Sequence, residues 1–329
     1  MKKRPLGRTG LEVSEISLGG AFLSSWGGRP AEESVAAVGR ALELGVNYID
    51  TAPTYADSEE VLGLALEKVS APCYISTKLG GRPQPFNPKD KALLRQSVEM
   101  SLKALRREVI DILIIHEPDR PGQYDWWTDS DRYQGPVVEL LADLKQEGVI
   151  RFTGLGGTTA YELPRIMATG FFDVALTAFN YSLLWREARI AVIPEAKRQN
   201  MGIVIGSPMQ QGALSQRYDE QVRGGAPWMS PPRRAQYQAL YAYLEYINIP
   251  LPELCLRFVL SDPDISTVLM GARSVAEVEE NLRAAEKGPL PQEVLNRLQE
   301  IADMVPFRPC EEPFFLPFTR DYRGPGPAR

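Results

Sequence analysis

The chain has one histidine, His116, and it closes an apolar run, Asp111-Ile-Leu-Ile-Ile-His116. Two further ionisable residues close similar runs. Asp50 ends Val-Asn-Tyr-Ile-Asp, and Lys78 ends Cys-Tyr-Ile-Ser-Thr-Lys. Tyr55 follows Asp50 by five residues. Each has an ordinary explanation alone: a satisfied core histidine, a turn aspartate, a surface lysine, a packed aromatic. Together they mark the ends of three successive apolar runs, which coincidence explains poorly if the runs are strands converging on one mouth. The chemistry these types suit is proton transfer at an oxygen. A Lys–Asp pair keeps both charges when hydrogen bonds offset their desolvation. An ammonium beside a phenol favours phenolate, so Tyr55 is expected to fall from its usual pKa of about 10 toward the acid–base range. Tyr55 is then the proton donor to an oxygen on which charge develops, or the base in reverse. His116 is a hydrogen-bond donor to the same oxygen. One histidine and no clustered cysteines indicate no metal.

The elements that must position these residues repeat. Candidate strands are Ile16–Gly20, Val46–Asp50, Cys73–Lys78, Asp111–His116, Phe152–Leu155, Asp173–Ala178, Ile203–Gly206 and Ser266–Met270. Amphipathic helical stretches lie between them, among them Ala31–Leu44, Ser58–Glu67, Lys91–Arg106, Val137–Gln146, Glu187–Gln199 and Val275–Glu286. Leu93, Leu94, Val98, Leu102 and Leu105 share one helical face. Asp57 and Glu60 have capping-box spacing, and Gly45 and Gly148 stand where helices hand over to strands. Eight strands alternating with helices predict a parallel α/β fold, a (β/α)8 TIM barrel, with a doubly wound open sheet as the alternative. No linker composition divides the chain, so residues 1–329 read as one domain. Three segments stand outside the repeat. Residues 3–13 suggest an N-terminal β-hairpin across one barrel end. Residues 117–135 form a loop with Tyr124, Trp126, Trp127 and Tyr133. Residues 305–329 make an irregular tail rich in Pro and Phe.

Bulk properties narrow the function. Of 329 residues 44% are hydrophobic and 24% charged, as in a globular protein, and the net charge of -5 argues against a nucleic-acid footprint. Cys73, Cys255 and Cys310 are an odd number without metal spacing, which fits indifferent thiols in a reducing compartment. The N-terminus lacks the apolar core of a signal peptide, and no window reaches the ~18 apolar residues of a membrane span. The expectation is a cytoplasmic protein with a small-molecule partner, no nucleic acid and no membrane, and a homo-oligomer is open. Gly154-Leu-Gly156-Gly157-Thr-Thr159 lacks the last glycine of a dinucleotide fingerprint, and it comes far along the chain. A tight strand-to-helix turn is the better reading. Gly271 to Asn281 follows the eighth strand and opens a helix, where backbone donors and the helix's positive end suit a phosphate.

With these residues in view, the sequence resembles the aldo-keto reductases over essentially its whole length. The matching stretches are Gly45-Val-Asn-Tyr-Ile-Asp-Thr-Ala-Pro-Thr-Tyr55, Ser76-Thr-Lys78, Asp111 to His116, Phe179-Asn-Tyr-Ser-Leu-Leu184 and Gly271 to Asn281. The resemblance implies a barrel with a nicotinamide cofactor extended over its C-terminal mouth, and a tetrad of Asp50, Tyr55, Lys78 and His116. It implies hydride transfer between that cofactor and an aldehyde, ketone or aldose. Cofactor positions carried over are Ala21, Phe22, Asp50, Gly156 and Gly157, then Ser207, Met209 and Gln211 along the pyrophosphate and ribose. At the adenosine end Gly271, Arg273 and Ser274 serve a 2′-phosphate, and Glu280 and Asn281 the adenine, with Glu277 among them. Trp26, Trp126 and Trp127 join Tyr55 and His116 as pocket residues, either stacking on a sugar face or filling a lid.

The match departs from the family at four places. Gly156-Gly157 stand where Ser-Asn often hold the carboxamide. Leu176 replaces a glutamine, Gly206 an aromatic, and Glu277 a neutral or basic residue. Some of these changes lean toward the aldose and galactose dehydrogenase branch. The extra carboxylate of Glu277 repels a 2′-phosphate, which leaves NADP(H) only narrowly ahead of NAD(H). A cofactor-binding regulatory or sensor subunit is the competing function. A hydrolase on the same barrel lacks the second strand-end carboxylate it would need.

Overall fold

The computed structural model describes residues 1–69, 71–120 and 122–308. The predicted tail beyond 308, with Cys310, lies outside them. The chain opens with the expected hairpin, β1 (Lys3–Pro5) against β2 (Glu12–Ser14), antiparallel. Eight strands then form a closed parallel barrel: β3 (Ile16–Gly19), β4 (Tyr48–Asp50), β5 (Tyr74–Leu79), β6 (Ile110–His116), β7 (Ile150–Gly157), β8 (Val174–Ala178), β9 (Gly202–Gly206) and β10 (Thr267–Gly271). β10 bonds to both β9 and β3. That closure excludes the open sheet.

The helices wrap the outside. They are α1 (Ala31–Glu43), α2 (Ser58–Leu66), α3 (Lys91–Leu105), α4 (Pro136–Gln146), α5 (Glu162–Met167), α6 (Val192–Arg198), α7 (Asp219–Gly224), α8 (Pro231–Ile247), α9 (Leu251–Leu260), α10 (Val275–Glu286) and α11 (Gln292–Asp303). Gly45 (φ 93°) and Gly148 (φ 75°) are both left-handed, as helix-ending glycines must be to turn the chain into the next strand. The stretch expected as one helix over Glu187–Gln199 is broken. A 3-10 turn at Glu187–Arg189 precedes α6. Pro194 is the reason: it fits only the first turn of a helix, where its missing N–H is not needed, so the helix cannot extend back to residue 187.

Two apolar layers hold the barrel. The larger lies between strands and helices. The smaller fills the barrel with Tyr48, Ile112, Ile114, Val174, Leu176, Val204 and Leu269, and the hairpin adds Leu6, Leu11 and Val13 to it. The hairpin thus plugs the N-terminal end. Arg4 fixes it there by donating to the carbonyls of Leu260 (2.6 Å), Asp262 (2.9 Å) and Ile265 (2.9 Å). Leu260 ends α9, whose last carbonyls need outside donors. With one end plugged and packed, the C-terminal mouth is the end left for chemistry.

Candidate active site

Strand alternation decides what reaches the mouth. Inward-facing Tyr48, Ile112 and Ile114 fix the phase of β4 and β6, so Asp50 and His116 also point inward, one step nearer the rim. On β5, Ser76 pairs in register with Asp50, and Lys78 with Ile114. Three adjacent strands therefore deliver Asp50, Lys78 and His116 to one place. The neighbours deliver almost nothing. β3, β7, β9 and β10 end inward in Gly19, Gly156, Gly206 and Gly271, and β8 ends in Ala178. A Cβ on Gly156 would sit 3.7 Å from Lys78 Cε, and one on Gly206 3.3 Å from Leu176 and Ala178 side-chain atoms. Half the mouth is reactive and half is bare.

The reactive half is a connected network. Lys78 Nζ donates to Asp50 Oδ2 and to the Thr51 carbonyl, each at 2.7 Å. Ser76 donates to Asp50 Oδ1 at 2.6 Å, and Tyr48 donates to Ser76 at 2.7 Å. Both charged side chains are buried, 1% and 3% exposed, so these extra bonds are what make the ion pair tolerable. Lys78 Nζ also lies 4.7 Å from the centre of the Tyr55 ring, which meets the His116 ring edge-on with centroids 5.9 Å apart. Thr54 Oγ1 is 3.3 Å from His116 Nδ1. Burial opposes the Lys78 charge, but Asp50 and then Tyr55 outweigh it, and the ammonium is held above its usual range. Burial, with Lys78 and Arg120 adding to it, pushes His116 well below the usual imidazole value. His116 is therefore neutral at ordinary pH.

Tyr55 corrects the sequence expectation. Its pKa is raised rather than lowered. Burial is the largest influence and raises it, Lys78 pulls down, and Asp50 and Glu117 push up again. The ammonium is present, but so are two carboxylates and the partial burial of the ring. The capping box also fails: Asp57 makes no cap bond to α2. Its Oδ1 accepts instead from Ser25 N at 2.7 Å, tying the β3 exit loop to the loop that carries Tyr55.

The other expected residues divide by position. Trp26, 58% exposed, leans over Tyr55 at 5.9 Å. Trp126 and Trp127 do not line the mouth. They are buried under the 117–135 loop, donating to the carbonyls of His116 (3.2 Å) and Pro118 (3.3 Å), so they prop the loop from below. Tyr124 does reach the mouth; its hydroxyl would lie 3.5 Å from a Cβ on Gly81, and its ring packs on Phe86 and Trp126. A cleft of about 440 Å³ opens between residues 84–89 and 123–125, with Phe86 and Tyr124 on its wall. Ala21 and Phe22 lie in a 3-10 turn after β3, and a Cβ on Gly271 would be 3.7 Å from Phe22. Gly156 faces inward, whereas a Cβ on Gly157 would strike Leu163 and Asp119 outside the barrel. Ser207 and Gln211 are left-handed (φ 53° and 50°), with Met209 between them. Ser274 caps α10, Asn281 donates to the Gly271 carbonyl at 3.2 Å, and Glu280 is exposed. Arg273 is paired with Glu277 at 2.7 Å.

The same geometry agrees with relatedness. The sequence profile described as the aldo/keto reductase family matches residues 15–303. The chain belongs to the aldo/keto reductase family. Among its relatives, L-galactose dehydrogenase of Arabidopsis thaliana is 31% identical over 317 residues, covering 92% of this chain and 94% of that protein. The NADH-specific methylglyoxal reductase of Escherichia coli is 28% identical over 324 residues, covering 86% and 93%. The holo structure of an aldo-keto reductase from Bacillus halodurans superposes with a TM-score of 0.71 at 26% identity, covering 92% of this chain and 96% of that one. Family membership makes this a nicotinamide-using type of oxidoreductase fold. No described helix is long and apolar enough to cross a membrane.

Sequence reasoning missed the supports of this candidate site. Tyr48 and Ser76 precede Asp50 and Lys78 by two residues, so period-two alternation was the signal that would have found them. Thr54 and Asp57 carried no such periodic signal.

Proposed function

We propose that the protein is an NAD(P)(H)-dependent oxidoreductase that interconverts a small aldehyde, ketone or aldose with its alcohol or oxidised form. The observation that carries this reading is the Lys78 ammonium held between the Asp50 carboxylate at 2.7 Å and the Tyr55 ring at 4.7 Å. The bare half of the mouth fits the cofactor: inward glycines at Gly19, Gly156, Gly206 and Gly271 leave a floor on which a flat ring can lie. Left-handed residues, Ser207, Gln210 and Gln211, follow β9, and the positive end of α10 favours phosphate. When bound, the nicotinamide supplies or accepts the hydride at the carbonyl carbon. Tyr55 gives its proton to the oxygen as charge develops there. Lys78 stabilises the resulting phenolate until water restores the proton. Thr54 Oγ1 lies 3.3 Å from His116 Nδ1; in the tautomer where Nδ1 accepts from that hydroxyl, the neutral His116 carries its proton on Nε2 and offers it to the same oxygen. A raised pKa keeps Tyr55 protonated, which suits reduction.

The names of the relatives, an L-galactose dehydrogenase and a methylglyoxal reductase, support a small polar carbonyl compound as substrate. The test is absorbance of the reduced nicotinamide with both cofactors, in both directions, across aldehydes, ketones and aldoses. Tyr55→Phe is expected to lose nearly all turnover while still binding cofactor. Wild-type turnover in that variant refutes the mechanism.

A further inference from the structure

Two neighbouring residues of β5 hold the two ends of the loop that carries Tyr55. At its start the Thr51 N–H donates to the Ser76 carbonyl at 2.9 Å. Past its end Glu59, the second residue of α2, accepts from Thr77 Oγ1 at 2.5 Å. Ser76 and Lys78 point into the barrel, so Thr77 between them points out. The strand is therefore gripped on both faces, by Asp50 inside and by Glu59 outside. Between its ends the loop is closed tightly. Tyr55 N donates to the Ala52 carbonyl at 3.1 Å, Ser58 N donates to the Tyr55 carbonyl at 3.0 Å, and the Thr51 and Ser58 hydroxyls lie 2.7 Å apart. Lys78 is the next residue of the same strand, and its ammonium stands 4.7 Å from the centre of the Tyr55 ring.

The Glu59 carboxylate has a second partner. Its Oε2 accepts from Arg82 Nη2, which also donates to Ser101 of α3 at 3.1 Å. The Glu59 side chain is 1% exposed and that of Arg82 16%. Arg82 follows Gly80 and Gly81, which leave β5 against the mouth: a Cβ on Gly80 would sit 3.3 Å from His116 Cβ, and one on Gly81 would strike Thr54 Cγ2 at 2.5 Å. One buried carboxylate thus joins α2, β5 and the 80–82 segment, the pieces that flank Tyr55, Lys78 and His116. A buried ion pair is a poor source of stability, since apolar side chains of the same volume often serve as well, whereas its charged hydrogen bonds fix geometry. Neither side chain carries a proton in the proposed mechanism, so what the pair contributes is position.

We infer that Glu59 is a positioning residue for the proton donor: through Thr77 and Arg82 it sets where the Tyr55 phenol stands relative to the Lys78 ammonium. This rests on the proposed function for the role of Tyr55. The first test needs neither cofactor nor substrate. Tyr55 meets the only imidazole of the chain edge-on at 5.9 Å, so a shifted phenol moves the His116 resonance. In purified full-length protein that resonance is expected to be displaced by Glu59→Gln and by Arg82→Met. With a substrate that the wild type turns over, both variants are expected to lose about ten- to a hundredfold in kcat while dinucleotide affinity is unchanged. The solvent deuterium isotope effect on kcat should grow, because proton transfer is the step that a displaced phenol slows. An unmoved resonance or an unchanged kcat overturns the inference. So does a fall in kcat with the wild-type isotope effect, which reports fewer folded molecules rather than a misplaced donor. Where Glu59→Gln does not fold, Arg82→Met carries the test. A folded wild type that turns over no aldehyde, ketone or aldose overturns the proposed function instead, and the resonance alone then decides whether Glu59 holds Tyr55 in place.

Discussion

Because His116 is the only histidine, its protonation can be isolated in a way few proteins allow. In the folded chain burial, Lys78 and Arg120 hold its pKa well below 6.5; in the unfolded chain it returns to about 6.5. The sign follows from proton counting. Below pH ~6.5 the unfolded state binds a proton that the folded state refuses, so stability falls as pH falls through that window and is flat above it. An imidazole that never protonated in the folded state would forfeit about 2 kcal/mol between pH ~7.5 and ~5, and this is the ceiling of the effect. Glu59, Glu117 and Asp119 have raised pKa values and act in the opposite sense as they protonate, so the wild-type profile alone mixes the two effects. The difference between wild type and His116→Gln removes the carboxylates to first order. Urea unfolding of both proteins, followed by tryptophan fluorescence at pH ~7.5 and ~5, is expected to show the wild type losing more stability than the variant, by up to about 2 kcal/mol. The single imidazole resonance gives the folded pKa directly. A resonance titrating near 6.5 in the folded protein, or identical pH losses in the two proteins, refutes the account of a desolvated neutral histidine.

Three further outcomes follow from the network. In the proposed mechanism oxidation requires Tyr55 as phenolate, and its pKa is raised above about 10, so oxidation rates are expected to climb throughout pH ~7–10 while reduction stays level; an oxidation plateau below pH ~8 contradicts this. Lys78→Met leaves Asp50 buried with only the Ser76 bond and should cost about 3–5 kcal/mol in urea unfolding, with part of it recovered when Asp50→Asn is added. Asp57→Ala removes the acceptor for Ser25 N, freeing the turn that carries Trp26: KM should rise several-fold with kcat little changed, tryptophan emission should shift, and Asp57→Asn should behave as wild type. An Asp57→Ala variant with unchanged KM and emission removes Asp57 as a positioning residue.

The barrel was legible because it is written in periodicities. Each of the eight apolar runs became a strand, and the residue closing the second, third and fourth runs reached the mouth because inward and outward faces alternate strictly. Asp50, Lys78 and His116 could therefore be placed from the sequence. What alternation cannot supply is the balance of several influences at one atom. Tyr55 was read as lowered because Lys78 was foreseen as its neighbour. Its depth, and the nearness of Glu117, depend on how the 50–58 and 116–125 loops fold over each other. Loop side chains misled for the same reason. Trp126 and Trp127 stood out as aromatics in a polar segment, yet their indole N–H groups found backbone carbonyls beneath the loop. Asp57 had capping spacing, and a tertiary partner, Ser25 N, took its carboxylate instead.

The division of the mouth adds a constraint that no single residue states. Charged and proton-bearing side chains come from the contiguous strands β4, β5 and β6, while β7, β9, β10 and β3 end inward in glycine. A flat cofactor needs a smooth floor on one side of the reacting carbon, and the oxygen needs its donors on the other. A barrel closes those two requirements onto neighbouring arcs of one ring. At Gly206, whose added Cβ would meet Leu176 and Ala178 and not the network of Asp50, Lys78 and Tyr55, a side chain competes only for the volume the proposed cofactor needs. Gly206→Val is therefore expected to weaken dinucleotide binding while the single His116 resonance keeps its pKa. Loss of both together would mean that the two arcs are one packed unit, and that the division between chemistry and binding drawn from the strand ends is wrong.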